Sequence, residues 1–164
     1  MFESSYAYAP GSGVNVLTRW VEVRRSCIAL RPEEECRRRF LEAVGPTVDD
    51  AVRPLMMELL ERHGDHNVVR CTIIVMGKRC EAIARTSLDA AGRVVHDLVE
   101  GATAGGRIVI SFEAEGPGIT RVDAHLRLPL RGVDALIYPL IAWGVGRALD
   151  EAVSENVAGL EFSR

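Results

Sequence analysis

Between His66 and Leu128 the apolar residues recur every two positions, and from Gly132 to Gly159 the spacing becomes helical. Period two turns one face of each strand apolar, and such a face must be buried against another layer. The long closing helix is the natural cover. The pattern therefore predicts an α+β chain in which a curved antiparallel sheet grips a C-terminal helix, an arrangement able to enclose an apolar cavity.

At 164 residues the chain is long enough to bury a real core, and the reading is one domain over residues 19–164 after a loose N-terminal arm at 1–18. Hydrophobic residues at 48% and charged ones at 26% are globular values. The net charge of -3 offers no general attraction to phosphate backbones, so nucleic acid is not an expected partner. The first residues lack a basic stretch followed by an apolar core, and Val133 to Val145 is shorter than the roughly 20 residues a membrane span takes. A cytoplasmic protein with no transmembrane segment is expected.

Cys27, Cys36, Cys71 and Cys80 show neither paired CxxC spacing nor a neighbouring histidine cluster. Free thiols, no metal and no cofactor follow. Cys71 and Cys80 fall diagonally on one strand face, so a disulfide between them is conceivable.

Arg19 to Leu30 reads as a first strand, although Arg24 and Arg25 blur its alternation. Pro32 with Glu33, Glu34 and Glu35 opens a helix running to about Val44, with acids placed where the helix dipole favours them. Each acid stands four residues ahead of an arginine, Arg37, Arg38 or Arg39. A second helix is expected from Thr47, kinked or restarted at Pro54. Leu55, Met56, Leu59 and Leu60 form its apolar stripe and Gly64 stops it. Two shorter helices thus separate the first and second strands.

Val68 to Val75 and Lys78 to Ser87 form a hairpin turning at Met76-Gly77. With that turn Val69, Cys71, Ile73, Val75, Cys80, Ala82 and Ala84 share a face, and Arg70, Thr72, Arg79, Glu81 and Arg85 share the other. Arg93 to Glu100 is a further strand. Arg107 to Glu115 and Thr120 to Leu128 make a second hairpin across Gly116-Pro117-Gly118, with Ile108, Ile110 and Phe112 facing the same way as Val122, Ala124 and Leu126.

In the closing segment Leu136, Ile137, Leu140, Ile141, Trp143 and Val145 surround the early turns, with Pro139 near the true helix start. That half is expected to be buried. Arg147, Asp150, Glu151 and Glu155 mark a solvated side further on. Gly144 and Gly146 each cost up to about 1 kcal/mol relative to alanine inside a helix. They either allow a close approach or mark a bend.

The candidate ligand wall consists of Cys71, Ile73, Cys80, Ala82 and Ala84 from one hairpin, and Ile110, Phe112, Ala124 and Leu126 from the other. Its many small side chains leave volume for a ligand, or else meet the helix in a close-packed core. Tyr138, Ile141, Trp143 and Val145 of the helix complete it. His96 and Asp97 are adjacent and so face opposite sides of a strand. His96, if it points inward with Val94 and Leu98, can orient a substrate carbonyl or act as a general acid/base; a satisfied core or exposed histidine is the plainer alternative. Arg25, if it shares a face with Val21, Val23 and Cys27, is a charge awaiting an anionic headgroup; a surface position after a bulge is the plainer alternative.

Three stretches, Ala29-Leu30-Arg31-Pro32-Glu33-Glu34, Gly118-Ile119-Thr120-Arg121-Val122, and Tyr138-Pro139-Leu140-Ile141 leading to Gly159-Leu160-Glu161, occur in an order that resembles the START-like or Bet v 1-like (SRPBCC) superfamily, including polyketide cyclase/dehydrase-type proteins. The resemblance implies a helix-grip fold with a cavity that takes lipids, polyketides or other apolar molecules. It does not fix the chemistry. Three functions stay open: a module that binds or transports a small hydrophobic molecule, a cyclase/aromatase-type enzyme using His96 or Arg25, and a ligand-free interaction protein, including a homodimer. A hot-dog fold is the rival architecture, but it leaves no place for the closing helix.

Overall fold

The computed structural model describes residues 17–42, 55–75 and 77–162. The elements run β1 (Thr18–Ala29), α1 (Glu33–Glu42), β2 (Leu55–Arg62), β3 (Asn67–Val75), β4 (Lys78–Leu88), β5 (Val94–Gly101), β6 (Arg107–Gly116), β7 (Ile119–Arg131), α2 (Val133–Leu136) and α3 (Tyr138–Phe162). Among the described residues the seven strands form one antiparallel sheet in the order β1-β7-β6-β5-β4-β3-β2. Strands β2 to β7 are therefore a meander, and β1 is added at its far edge beside β7.

Alternation places the strands' apolar residues on one face. Val21, Val69, Ala84, Val94 and Val122 are wholly buried there, and α3 lies across that face, packed chiefly on β1. The outer face carries charge: Asp97 turns outward and accepts hydrogen bonds from Arg107 at 2.6 and 3.1 Å. One extra residue, Val99, breaks the β4–β5 ladder between Ile83 and Ala84. Such a bulge bends the sheet. Gly101 ends the bulge at φ +98°, where a Cβ would come within 2.4 Å of the Glu81 carbonyl oxygen, so no other residue fits.

Helix α1 starts after Pro32, with Glu33 paired to Arg37; Glu35 lies 3.9 Å from Arg31. Arg37 Nε also donates to the Gly92 carbonyl at 2.8 Å, fixing the helix to the β4–β5 turn. Its buried side carries Cys36 and Phe40, and Phe40 meets Phe112 edge-on at 5.6 Å.

Two expectations are corrected. Of the two helices placed between the first strands, α1 is present, whereas Leu55–Arg62 is strand β2. The residues 47–54 that would open the second helix lie outside the described residues. The sequence Leu55-Met56-Met57-Glu58-Leu59-Leu60 fits either period, and the open edge of β3 decides it. Met57 pairs with Cys71 and Leu59 with Val69, each packing against the core, while Leu60 is 39% exposed. Second, the start of the closing helix is not buried. Leu136, Ile137, Leu140 and Trp143 are 68, 44, 51 and 64% exposed. The buried face of α3 is instead Val145, Ala148, Leu149 and Val153, one helical stripe that meets the sheet. Most of the arm expected at 1–18 lies outside the described residues, and Thr18 already belongs to β1.

These burials predict opposite outcomes for two large residues of α3. Leu149→Ala should lower unfolding free energy by about 2–4 kcal/mol in urea titration. Trp143→Gln should change it by less than about 0.5 kcal/mol.

Candidate functional site

Register carries each concave-face residue into a row across the sheet, because antiparallel partners share a face. One row runs Val23, Leu126, Ile108, His96, Thr86. The row beside it runs Arg25, Ala124, Ile110, Val94, Leu88. Further along the sheet, Ala84 stands between Val69 and Leu98, and Ala82 pairs with Cys71. All of the expected wall is on this face. Cys71, Ala84, Ala124 and Leu126 are at most 1% exposed, and Ile73, Ala82 and Ile110 are 5 to 6%. Cys80 and Phe112 are half-buried.

From α3, Val145 joins the core, and Tyr138 and Ile141 pack against it partly buried. Trp143 points away and leaves the set that the structure brings together. All four cysteines are free, which corrects the conceivable Cys71–Cys80 disulfide: Cys71 faces Ala82 and Cys80 faces Ile73. Burial pushes the Cys71 thiol up to about 12, so it is an inert apolar part of the wall.

His96 is the polar centre of the face. It is 1% exposed, and its Nδ1 shares a hydrogen bond of 2.7 Å with Thr86 Oγ1, its cross-strand partner. Burial pulls the imidazole down to about 4, the nearby Asp97 carboxylate opposing this weakly. At neutral pH the ring is uncharged and can donate or accept a hydrogen bond without carrying charge into the core. Thr86 was not singled out in the sequence, though it continues the inward alternation of Ala82 and Ala84.

Arg25 also faces inward, with Val21, Val23 and Cys27, and no bulge intervenes in its ladder. The expected bulge is absent, and the side chain stays 39% exposed at the β1–α3 seam. Gly146 lies over it, which identifies one of the two helix glycines as a close approach.

Between α1 and the ends of β2, β3 and β4 lies a groove of about 890 Å³, with Leu41, Leu59 and Leu88 below and Arg37, Arg38 and Arg62 around it. Leu59 and Leu88 are also concave-face positions by register, and Leu88 is 46% exposed at the groove. Among the described residues no cluster of His, Cys, Asp and Glu is suited to a metal ion, and no helix is long and apolar enough to cross a membrane.

No protein-family model and no curated protein matches the chain in sequence. Solved structures do match in fold. The chain is similar to the aromatase/cyclase Zhui of a Streptomyces strain over 87% of this chain and 94% of that one, at 14% identity and a TM-score of 0.73. A norcoclaurine synthase from Thalictrum flavum matches at 12% identity over 93% and 99%, TM-score 0.62. A START superfamily protein from Mycobacterium smegmatis matches at 13% over 85% and 93%, TM-score 0.56. The chain has the helix-grip fold of START-like and Bet v 1-like proteins.

The buried neutral histidine makes stability depend on pH. Its folded pKa lies below the ordinary 6.5, so the unfolded chain binds the proton more readily between about 4 and 6.5. The contribution is full above pH 6.5 and is lost as pH falls through that window, up to about 3 kcal/mol in all. Denaturant titrations at pH 7.5 and 5 should show this loss, and the double variant His96→Leu/Thr86→Val should flatten it. An unchanged slope in the variant would refute the assignment.

Proposed function

We propose that the protein binds a small hydrophobic or amphipathic molecule, lipid-like or polyketide-like, between the concave face and α3. The observation that carries this reading is the wall itself. Cys71, Ala82, Ala84 and Ala124 are small where a sheet under a helix would be filled by larger side chains. The likeness in fold to an aromatase/cyclase and a START superfamily protein supports the same class of ligand.

A second reading, cyclase-type catalysis on the same wall, draws support from the His96–Thr86 pair, a convergent polar centre on an otherwise apolar surface. In it the neutral imidazole would polarise a substrate carbonyl by donating a hydrogen bond. Binding is the better supported of the two, because Arg25 is three strands from His96, about 14 Å at the usual strand spacing. The two polar groups therefore do not act on one reacting atom.

Native mass spectrometry of protein purified from its own host should find a bound small molecule. Ala84→Leu separates a cavity from a filled core. With a cavity, the added methylenes change stability by less than about 1 kcal/mol and displace the ligand. In a close-packed interior they cost about 1–3 kcal/mol, and that result would end the proposal.

A further inference from the structure

Arg25 stands in the middle of β1, on the concave face, in the row that continues through Ala124, Ile110 and Val94. Where α3 crosses this point it carries Gly146, and a Cβ there would lie 2.8 Å from Arg25 Nη2 and 3.7 Å from Val23 Cγ1. A Cβ there would make the mobile end of the Arg25 side chain shift. Glycine in a helix interior is otherwise unfavourable, and here it leaves the guanidinium room beside the helix.

The guanidinium is held only in part by the protein, and with 39% of the side chain exposed the remainder is open to water. Nη1 donates to the Arg24 carbonyl at 2.8 Å. Nε lies 3.8 Å from Asp150 Oδ1, beyond hydrogen-bond distance, and Asp150 is itself 66% exposed to water. Among the described residues no acceptor is recorded for Nη2. An arginine fork with an unused edge, set between a sheet and a helix, fits the two oxygens of a carboxylate.

We propose that Arg25 anchors the carboxylate of an amphipathic ligand whose apolar body runs along the concave wall toward His96. The proposal rests on the ligand-binding reading above and deepens it by naming the ligand class, a long-chain carboxylic acid. The span from β1 to β5 covers three strand spacings, about 14 Å, which a long acyl chain fills and a short acid does not. Asp150 is then the competitor that holds the empty fork, and Gly146 is a positioning residue.

Dodecanoate, dodecanol and acetate, titrated by calorimetry at pH 7.5, test this. The protein should prefer dodecanoate to dodecanol by about tenfold or more, the usual weight of a hydrogen-bonded charge. Arg25→Gln should bring that ratio to about one, and Arg25→Lys should restore part of it. Gly146→Ala, which leaves every charge in place, should lower the ratio too, and Asp150→Asn should raise it. Thermal unfolding of each variant reports whether it is folded, and the lysine and asparagine variants keep the test open if another is not. Equal binding of acid and alcohol by the unaltered protein overturns the anchor and leaves the apolar site standing. Retention of the preference in Arg25→Gln does the same. Acetate competing as well as dodecanoate overturns the requirement for a long chain. Binding of neither long-chain probe overturns the cavity reading and the anchor together.

Discussion

The ladder between β1 and β7 holds the rest of the molecule in place. It pairs Thr18 with Arg131 and continues without a register shift to Ala29 with Thr120. At one end Thr120 Oγ1 donates to the Arg31 carbonyl at 2.7 Å, which seats the chain entering α1. At the other end the Gly132 amide donates to the Leu17 carbonyl at 3.0 Å, which seats the chain entering α2 and α3. Both helices that cover the concave face are thus positioned from the two ends of one strand pair. A slip of one residue would send Val21, Val23 and Arg25 to the outer face and remove the floor on which α3 rests.

Much of this was legible in the sequence, because strict alternation leaves few choices. The hairpins around Gly77 and Pro117, the inward facing of Cys71 to Ala84 and of Ile110 to Leu126, and the helix restart near Pro139 follow from period and turn chemistry alone. What misled was local pattern without knowledge of the neighbour. Leu55 to Leu60 satisfies the helical and the strand period equally, and only the unpaired edge of β3 selects one. Leu136, Leu140 and Trp143 are apolar enough for a core, yet the sheet is already covered by the stripe from Val145 to Val153. Composition gives no warning that the area needing cover has run out.

Polar placement separates the two faces of the sheet. Outside, charges are laid in facing pairs such as Arg107 with Asp97 and Arg121 with Glu113 and Glu115, each screened by water and individually of small weight. Inside, polar groups are few and matched to their surroundings. His96 is kept neutral against Thr86, and Thr120 satisfies a backbone carbonyl. The interior therefore presents a few hydrogen-bonding groups on an otherwise apolar surface.

The position of β1 also bears on how the chain is made. Of the described elements a ribosome releases β1 and α1 first and must complete β2 to β6 before β7, the described strand that pairs with β1, emerges. Until then Val21 and Val23 have no strand to lie against, and α3, which is synthesised last, cannot cover them. Folding of this domain is therefore closed by its final segment, and a nascent chain stalled before Ile119 would present an unsatisfied strand to whatever chaperone or aggregating partner stood nearest.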